Sequence, residues 1–187
     1  MAVRRRRTAE ESRSLILDVA ARRLRGQGLE GLNITGVAEE AGISHATLIH
    51  HFGSSGGMRE ALADKMTRDL IEDLVEAFDA RVAPVELTRN VFSALAEGGH
   101  ARLLAWRAVE GRGSQDVTAV ATLFDRLLDT TQKALGADSR DHVKRVVYLV
   151  SIAAVGYGLA GKVLAQALGM AEDKIAQFPE CMTEHIA

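Results

Sequence analysis

The stretch Ile34-Thr-Gly-Val-Ala38-Glu-Glu-Ala41-Gly42-Ile43-Ser44-His-Ala-Thr47-Leu48-Ile-His-His51-Phe52 decides the fold. A small residue at Ala38, a glycine at Gly42, apolar Ile43 just after it and apolar Leu48 further on have the layout of a helix-turn-helix. The spacing has a physical cause: two short helices crossing steeply need a small contact residue and a sharp turn of about three or four residues. Asn33 suits the N-cap of a helix over 34–41, whose Val37, Ala38 and Ala41 face inward. Ser44 suits the cap of the next helix, through about residue 51, because its hydroxyl can accept a free amide two or three residues on. Such a unit turns its second helix outward, and an α-helix fits the major groove of DNA, so the outer side of 45–51 is expected to face base edges and phosphates.

Working outward, Leu15, Ile16, Val19, Ala20 and Leu24 share one side of a helix over 11–25, with Arg13, Arg22 and Arg23 toward the other. Gly26-Gln-Gly28 stops it. Gly53-Ser-Ser-Gly-Gly57 reads as a flexible break, after which Met58, Leu62, Met66, Leu70, Leu74 and Phe78 mark one long amphipathic helix to Arg81. Pro84 suits a helix start. Further helices fit about 85–97, 101–110, 116–135 and 139–168, with a last one over about 171–186. The 187 residues are 47% hydrophobic and 4% aromatic with two prolines, which favours helices and excludes an all-β fold. The expected class is all-α: a three-helix DNA-binding unit joined by a long fourth helix to a helical body. The expected divisions are a basic arm over 1–9, a helix-turn-helix domain over 10–57 with its motif at 33–52, and a helical body over 58–187.

Charge and cysteine content narrow the classes further. Residues 1–60 hold nine arginines against seven acidic residues, whereas the rest of the chain holds fourteen basic against eighteen acidic ones. The positive end opens with Arg4-Arg5-Arg6-Arg7, but Thr8-Ala9-Glu10-Glu11 follows in place of the apolar run of a secretory signal, so a cytoplasmic location is expected. Val146 to Gly161 is too short and too interrupted for a span of about 18–20 residues, and is read as a buried helix with no membrane partner. The single cysteine, Cys181, excludes an internal disulfide and a Cys-rich zinc site. His45, His50 and His51 lack the i, i+4 spacing that puts two imidazoles on one helical face, so no metal and no cofactor is expected. Cys181 and His185 share a face of a terminal helix without an oxyanion hole, and no phosphate loop or nucleophile elbow is present. The chain reads as a non-enzyme.

Arg13, Ile16-Leu17, Ala20-Ala21, Gly28, Val37-Ala38, Ala41-Gly42-Ile43-Ser44, Thr47-Leu48 and His51-Phe52 stand in the register of the tetracycline-repressor (TetR) family of bacterial regulators, which residues 10–70 resemble. The resemblance implies a homodimer whose two recognition helices read a palindromic operator in double-stranded DNA, and a repressor released by a small effector. Two departures stand out. Ile49 replaces the family's usual tyrosine, and Ser55-Gly56 replace a Lys-Glu pair, so two phosphate contacts are expected to be missing. Gly36 inside the second helix also costs about 1 kcal/mol of helix propensity relative to alanine. The arm Arg4–Arg7 is expected to offset the lost contacts and to steepen the salt dependence of binding.

The expected DNA contacts are Thr47 and His50, with Ser44, His45 and Ala46 at the start of the recognition helix, His51 toward the backbone, and Asn33 and Thr35 at the start of the helix before it. Asn33 is explained equally well by capping. In the body, His100, Arg102, Trp106, Arg107, Glu110, Tyr148, Ser151 and Tyr157 could orient a ligand inside an otherwise apolar cavity, and the resemblance places an effector pocket after the fourth helix, near 103–109, Phe124 and the first half of the 139–168 helix; the expected lining is Leu103, Trp106, Arg107, Glu110, Phe124, Tyr148 and Ser151. Its mostly apolar lining implies an apolar or aromatic ligand. The 139–168 helix is apolar nearly all round, with Val143, Val146, Val147, Val150, Ala154, Tyr157 and Gly161 on one side and Leu149, Ile152, Ala153, Gly156 and Ala160 on others. With Ile175, Phe178, Met182 and Ile186 of the last helix it forms the expected dimer surface. The competing class is a ligand-binding or interaction protein of the same fold with weak, nonspecific DNA binding.

Overall fold

The computed structural model describes residues 8–112, 117–136 and 139–186. Arg4–Arg7, and Asp116 at the expected start of the seventh helix, lie outside the described residues. These fold into ten helices with no strand among them. The N-terminal unit is α1 (Ala9–Gln27), a 3₁₀ turn (Gly28–Gly31), α2 (Ile34–Ala41) and α3 (His45–Phe52). The body is α4 (Ser55–Asp79), α5 (Pro84–Ala96), α6 (His100–Val109), α7 (Val117–Leu135), α8 (Arg140–Ala167), α9 (Glu172–Ala176) and α10 (Phe178–Ile186).

Local chemistry sets the helix ends of the N-terminal unit. Thr8 and Glu11 form a reciprocal capping box on α1. The Asn33 side chain accepts from the Gly36 amide, and Ser44 Oγ accepts from the Thr47 amide. Gly42 closes α2 in the left-handed conformation at φ 64°, where a side chain would be strained. Ile16, Leu24, Leu32, Val37, Leu48, Met58 and Leu62 are fully buried in one cluster. Each contributes about 1.5–3 kcal/mol by leaving water.

Of the expected break at 53–57 only Gly53 and Ser54 lie between helices; Ser55, Gly56 and Gly57 are the first turn of α4. Ser54 Oγ accepts from the Gly57 amide at 3.0 Å, the Ser55 hydroxyl donates to the Leu32 carbonyl at 2.9 Å, and Met58 is fully buried. Together these offset two glycines at about 1 kcal/mol each. The expected last helix is likewise divided, because Pro179 lacks the N–H that would carry α9 onward. Phe178 and Met182 then turn into the chain's own core. Phe178 stacks on Tyr157 at 5.9 Å and meets Phe92 edge-on at 5.7 Å, and Arg89 bonds Glu180 at 2.6 Å.

Gly36 has a packing reason that propensity hides. A Cβ there would lie 2.7 Å from Arg23 Cζ and closer still to its Nη2. That guanidinium is held by the Gly31 carbonyl at 2.7 Å, Gln27 at 3.0 Å and Glu40 at 3.4 Å, tying α1 to α2. Gly36→Ala gains about 1 kcal/mol of propensity but displaces Arg23 from bonds to a charged donor, each about 1.5–3 kcal/mol. A net fall of about 1 kcal/mol is expected, and thermal unfolding checks it. In an Arg23→Ala background the same change is expected to stabilise; a gain in both backgrounds refutes the packing role.

Candidate functional site

The outward surface of α2 and α3 carries most of the sequence-predicted DNA contacts. Thr35, Ser44, His45, Ala46 and His50 are exposed, and Thr47 and His51 are half-buried. Leu48, fully buried, pins α3 to the core and so orients that surface. Several polar groups already have internal partners. Ser44 Oγ and Thr47 Oγ1 bond each other at 2.8 Å, so Thr47 starts from an ordered rotamer. Asn33 accepts from Gly36 and donates to the Glu30 carbonyl, so it acts as a cap with both ends occupied. The C-terminus of α3 is clamped by Arg13, which donates to the His51 carbonyl at 3.0 Å while its guanidinium lies 4.5 Å from the Phe52 ring centroid. Sequence reading gave Arg13 no such role. Ile49 is half-buried where a tyrosine hydroxyl was missed, and the Ser55 hydroxyl is committed to Leu32. Among the described residues no group of three His, Cys, Asp or Glu side chains could hold a metal ion.

A cavity of about 760 Å³ lies in the body, walled by residues of α4 to α8 and α10. Its lining is chiefly Leu, Ile, Val and Phe, including Leu70, Leu74, Phe78, Val91, Leu104, Phe124, Leu127 and Val150. Of the seven residues expected there, Arg107, Phe124 and Ser151 line it. The other four lie elsewhere. Leu103 is fully buried in the N-terminal cluster, the Trp106 ring lies between Arg59 and Arg112 at 5.6 and 5.5 Å, Glu110 is exposed, and Tyr148 is 66% exposed. The cause is geometric: α6 has three occupied faces, and only the one bearing His100, Leu104 and Arg107 meets the cavity.

That face carries two of the cavity's polar groups, His100 and Arg107, and ties α6 to α4. Arg107 Nη2 donates to Asp64 Oδ1 at 2.7 Å and to the Glu60 carbonyl at 3.0 Å, with both partners' side chains nearly buried. Arg112 reaches Glu60 Oε1 at 2.5 Å, and Arg59 donates to the Leu29 carbonyl at 3.1 Å. His100 is buried with Nε2 3.0 Å from Thr67 Oγ1. Burial, then the Arg107 charge, hold its imidazole down to about 4, against a bond to the Ala63 backbone that works the other way. The ring is therefore neutral at pH 7. With its other nitrogen on that backbone, Nε2 accepts and Thr67 donates. His100, which the sequence offers as a group able to orient a ligand, lines the cavity, whereas Thr67 was not predicted for it.

Residues 16–62 match the family model described as bacterial regulatory proteins, tetR family. The N-terminal domain belongs to the TetR family. Members of the TetR family are DNA-binding transcriptional regulators, and the all-α architecture with an N-terminal helix-turn-helix is theirs. Among solved structures, the TetR-family transcriptional regulator PfmR from Thermus thermophilus is 17% identical, with a TM-score of 0.51 over 90% of this chain and 97% of that one. A mutant HlyIIR protein is 12% identical, with a TM-score of 0.51 over 91% of this chain and 97% of its own. At these identities the likeness is one of fold. No curated protein matches the chain.

Proposed function

We propose that this TetR-family chain is a homodimeric repressor that reads a palindromic operator through Ser44, His45, Ala46, Thr47, His50 and His51 and is released by a small apolar effector. The observation that carries this reading is the placement of α6: it supplies Leu103 to the core of the DNA-binding unit and Arg107 to the cavity wall. A ligand pressing on Arg107 acts on Glu60 and Asp64 of α4 directly, and α4 closes the DNA-binding unit. A shift there changes the separation of two recognition helices, which must be about 34–36 Å to meet successive major grooves.

The second protomer has a surface to occupy. On α8, Tyr148, Leu149, Ile152, Leu159, Val163 and Leu164 are 46–68% exposed, so the helix read as buried is covered on one side only. Its other side, with Val143 and Ala154 buried, packs within the protomer. By length and composition α8 could also cross a membrane. A second protomer is the better cover, because α8 is wedged against its own chain: a Cβ on Gly158 would lie 2.8 Å from Ala96 Cα. The contiguous apolar strip is the kind that marks protein association.

Selection of bound sequences from random duplexes tests the reading. A palindromic winner is expected, retained over scrambled duplex at physiological salt. Thr47→Ala and His50→Ala are each expected to weaken it about 5- to 150-fold, the range for one good base contact. Deleting Arg4–Arg7 is expected to flatten the salt slope. If no sequence is enriched and all duplexes bind alike, the operator-reading function fails and the ligand-binding alternative, favoured by Ile49 and the committed Ser55, takes its place.

A further inference from the structure

Apart from that of Ser139, which is exposed, the cavity's hydroxyls divide into two kinds. Thr88, Ser151 and Thr183 each donate to the carbonyl four residues back on their own helix, at 2.7–3.1 Å. Such hydroxyls are satisfied without a ligand. Thr67 is paired with His100. Thr131, on α7, is different: it is 4% exposed, lines the cavity, and its Oγ1 is buried without a hydrogen-bond partner among the described residues. Arg107 lines the same cavity, and its Nε–H is also buried and unpartnered. A buried polar group left unpaired is costly, so an occupant that satisfies one of these two is favoured over one that satisfies neither.

The charges limit which occupant fits. The Arg107 guanidinium is already neutralised by Asp64 at 2.7 Å, so a carboxylate entering here would add an unpaired negative charge beside Asp64. A cation would meet Arg107 and find no carboxylate on the lining to pair with. A pure hydrocarbon would leave Thr131 unpaired. Resting on the proposed effector role of this cavity, we infer that it takes an uncharged apolar molecule bearing a hydrogen-bond acceptor, of the ketone, ester or lactone class, which receives the Thr131 hydroxyl.

Three probes of one shape separate the classes in the full chain: butylbenzene, butyrophenone and 4-phenylbutanoate, titrated calorimetrically at pH 7.5. Butyrophenone is expected to bind most tightly. Thr131→Val, which keeps the shape, is expected to weaken butyrophenone about 5- to 30-fold, a hydrogen bond's worth, and to leave butylbenzene within about twofold. Thr131→Ser is expected to restore binding. Without ligand, Thr131→Val is expected to raise the melting temperature by about 2–4 °C, since it removes an unpaired hydroxyl. A lowered melting temperature shows that the hydroxyl has a partner and overturns the inference, as does tightest binding of 4-phenylbutanoate or equal losses for both neutral probes. If butylbenzene binds wild type and Thr131→Val changes nothing, the ligand class fails while the cavity's binding role stands. If no probe binds, both fail.

Discussion

Asp64→Ala is expected to lower the unfolding free energy by about 3–5 kcal/mol, the largest single effect predicted for this chain. The Arg107–Asp64 pair is 2.7 Å long with side chains only 12% and 10% exposed, so neither charge can turn to water when its partner goes. Removing the carboxylate leaves a buried guanidinium with the Glu60 carbonyl as its remaining anchor on α4. The penalty is the stranded charge, not the lost bond. Hence Asp64→Leu with Arg107→Met is expected to cost less than Asp64→Ala alone, because it removes both desolvated charges together. Denaturant unfolding of the two variants checks this; a loss below about 1 kcal/mol for Asp64→Ala refutes the buried-pair argument.

The double variant also separates stability from signalling. Asp64 and Glu60 stand in the first half of α4, just past the helix-turn-helix, and Arg107 borders the cavity. An apolar replacement that keeps the fold but holds α4 without these directional bonds is expected to transmit ligand binding poorly. Packing alone allows many small adjustments, whereas the fork of one guanidinium onto Asp64 and Glu60 fixes one.

How much of this was legible depends on whether a side chain's fate is set by its near neighbours in sequence. Asn33, Gly42 and Ser44 act within a few residues, and their capping and turn roles were readable; so were Val37, Ala38, Ala41 and Leu48, which share inward faces. The division of α8 was legible for the same reason: its spacing separates Val143, Val150 and Ala154 from Leu149 and Ile152. What escaped depends on distant partners. The cost of Gly36 is local, while its use comes from Arg23 a helix away. Glycines at 56 and 57 suggest a break until Ser55 is seen bonding Leu32. On α6, periodicity separates the faces but does not say which meets what, so Leu103 and Trp106 were assigned to a cavity that His100, Leu104 and Arg107 reach instead. Thr131 gave no signal, since an unpaired threonine looks in sequence like any other.

The stability of the chain is expected to fall by about 3 kcal/mol between pH 7 and pH 4 through His100 alone. Its folded imidazole sits at about 4 against an ordinary 6.5, because burial and then the Arg107 charge penalise its protonated form. Above pH 6.5 the ring is neutral whether folded or not, and nothing depends on pH. Below 6.5 the unfolded chain takes the proton first, so unfolding gains until the folded ring also titrates near 4. The difference of about 2.5 units, at 1.36 kcal/mol per unit, sets the size. Carboxylates titrate toward the lower end of the same window, so the measurement is the gap between wild type and His100→Gln, in which they cancel. At pH 7 wild type is expected to be the more stable, and the gap should close steadily as pH falls. Parallel curves would mean that the folded imidazole takes up its proton as readily as the unfolded one. Below about pH 6.5 the Thr67–His100 bond would then be reversed, with the imidazole donating and Thr67 accepting.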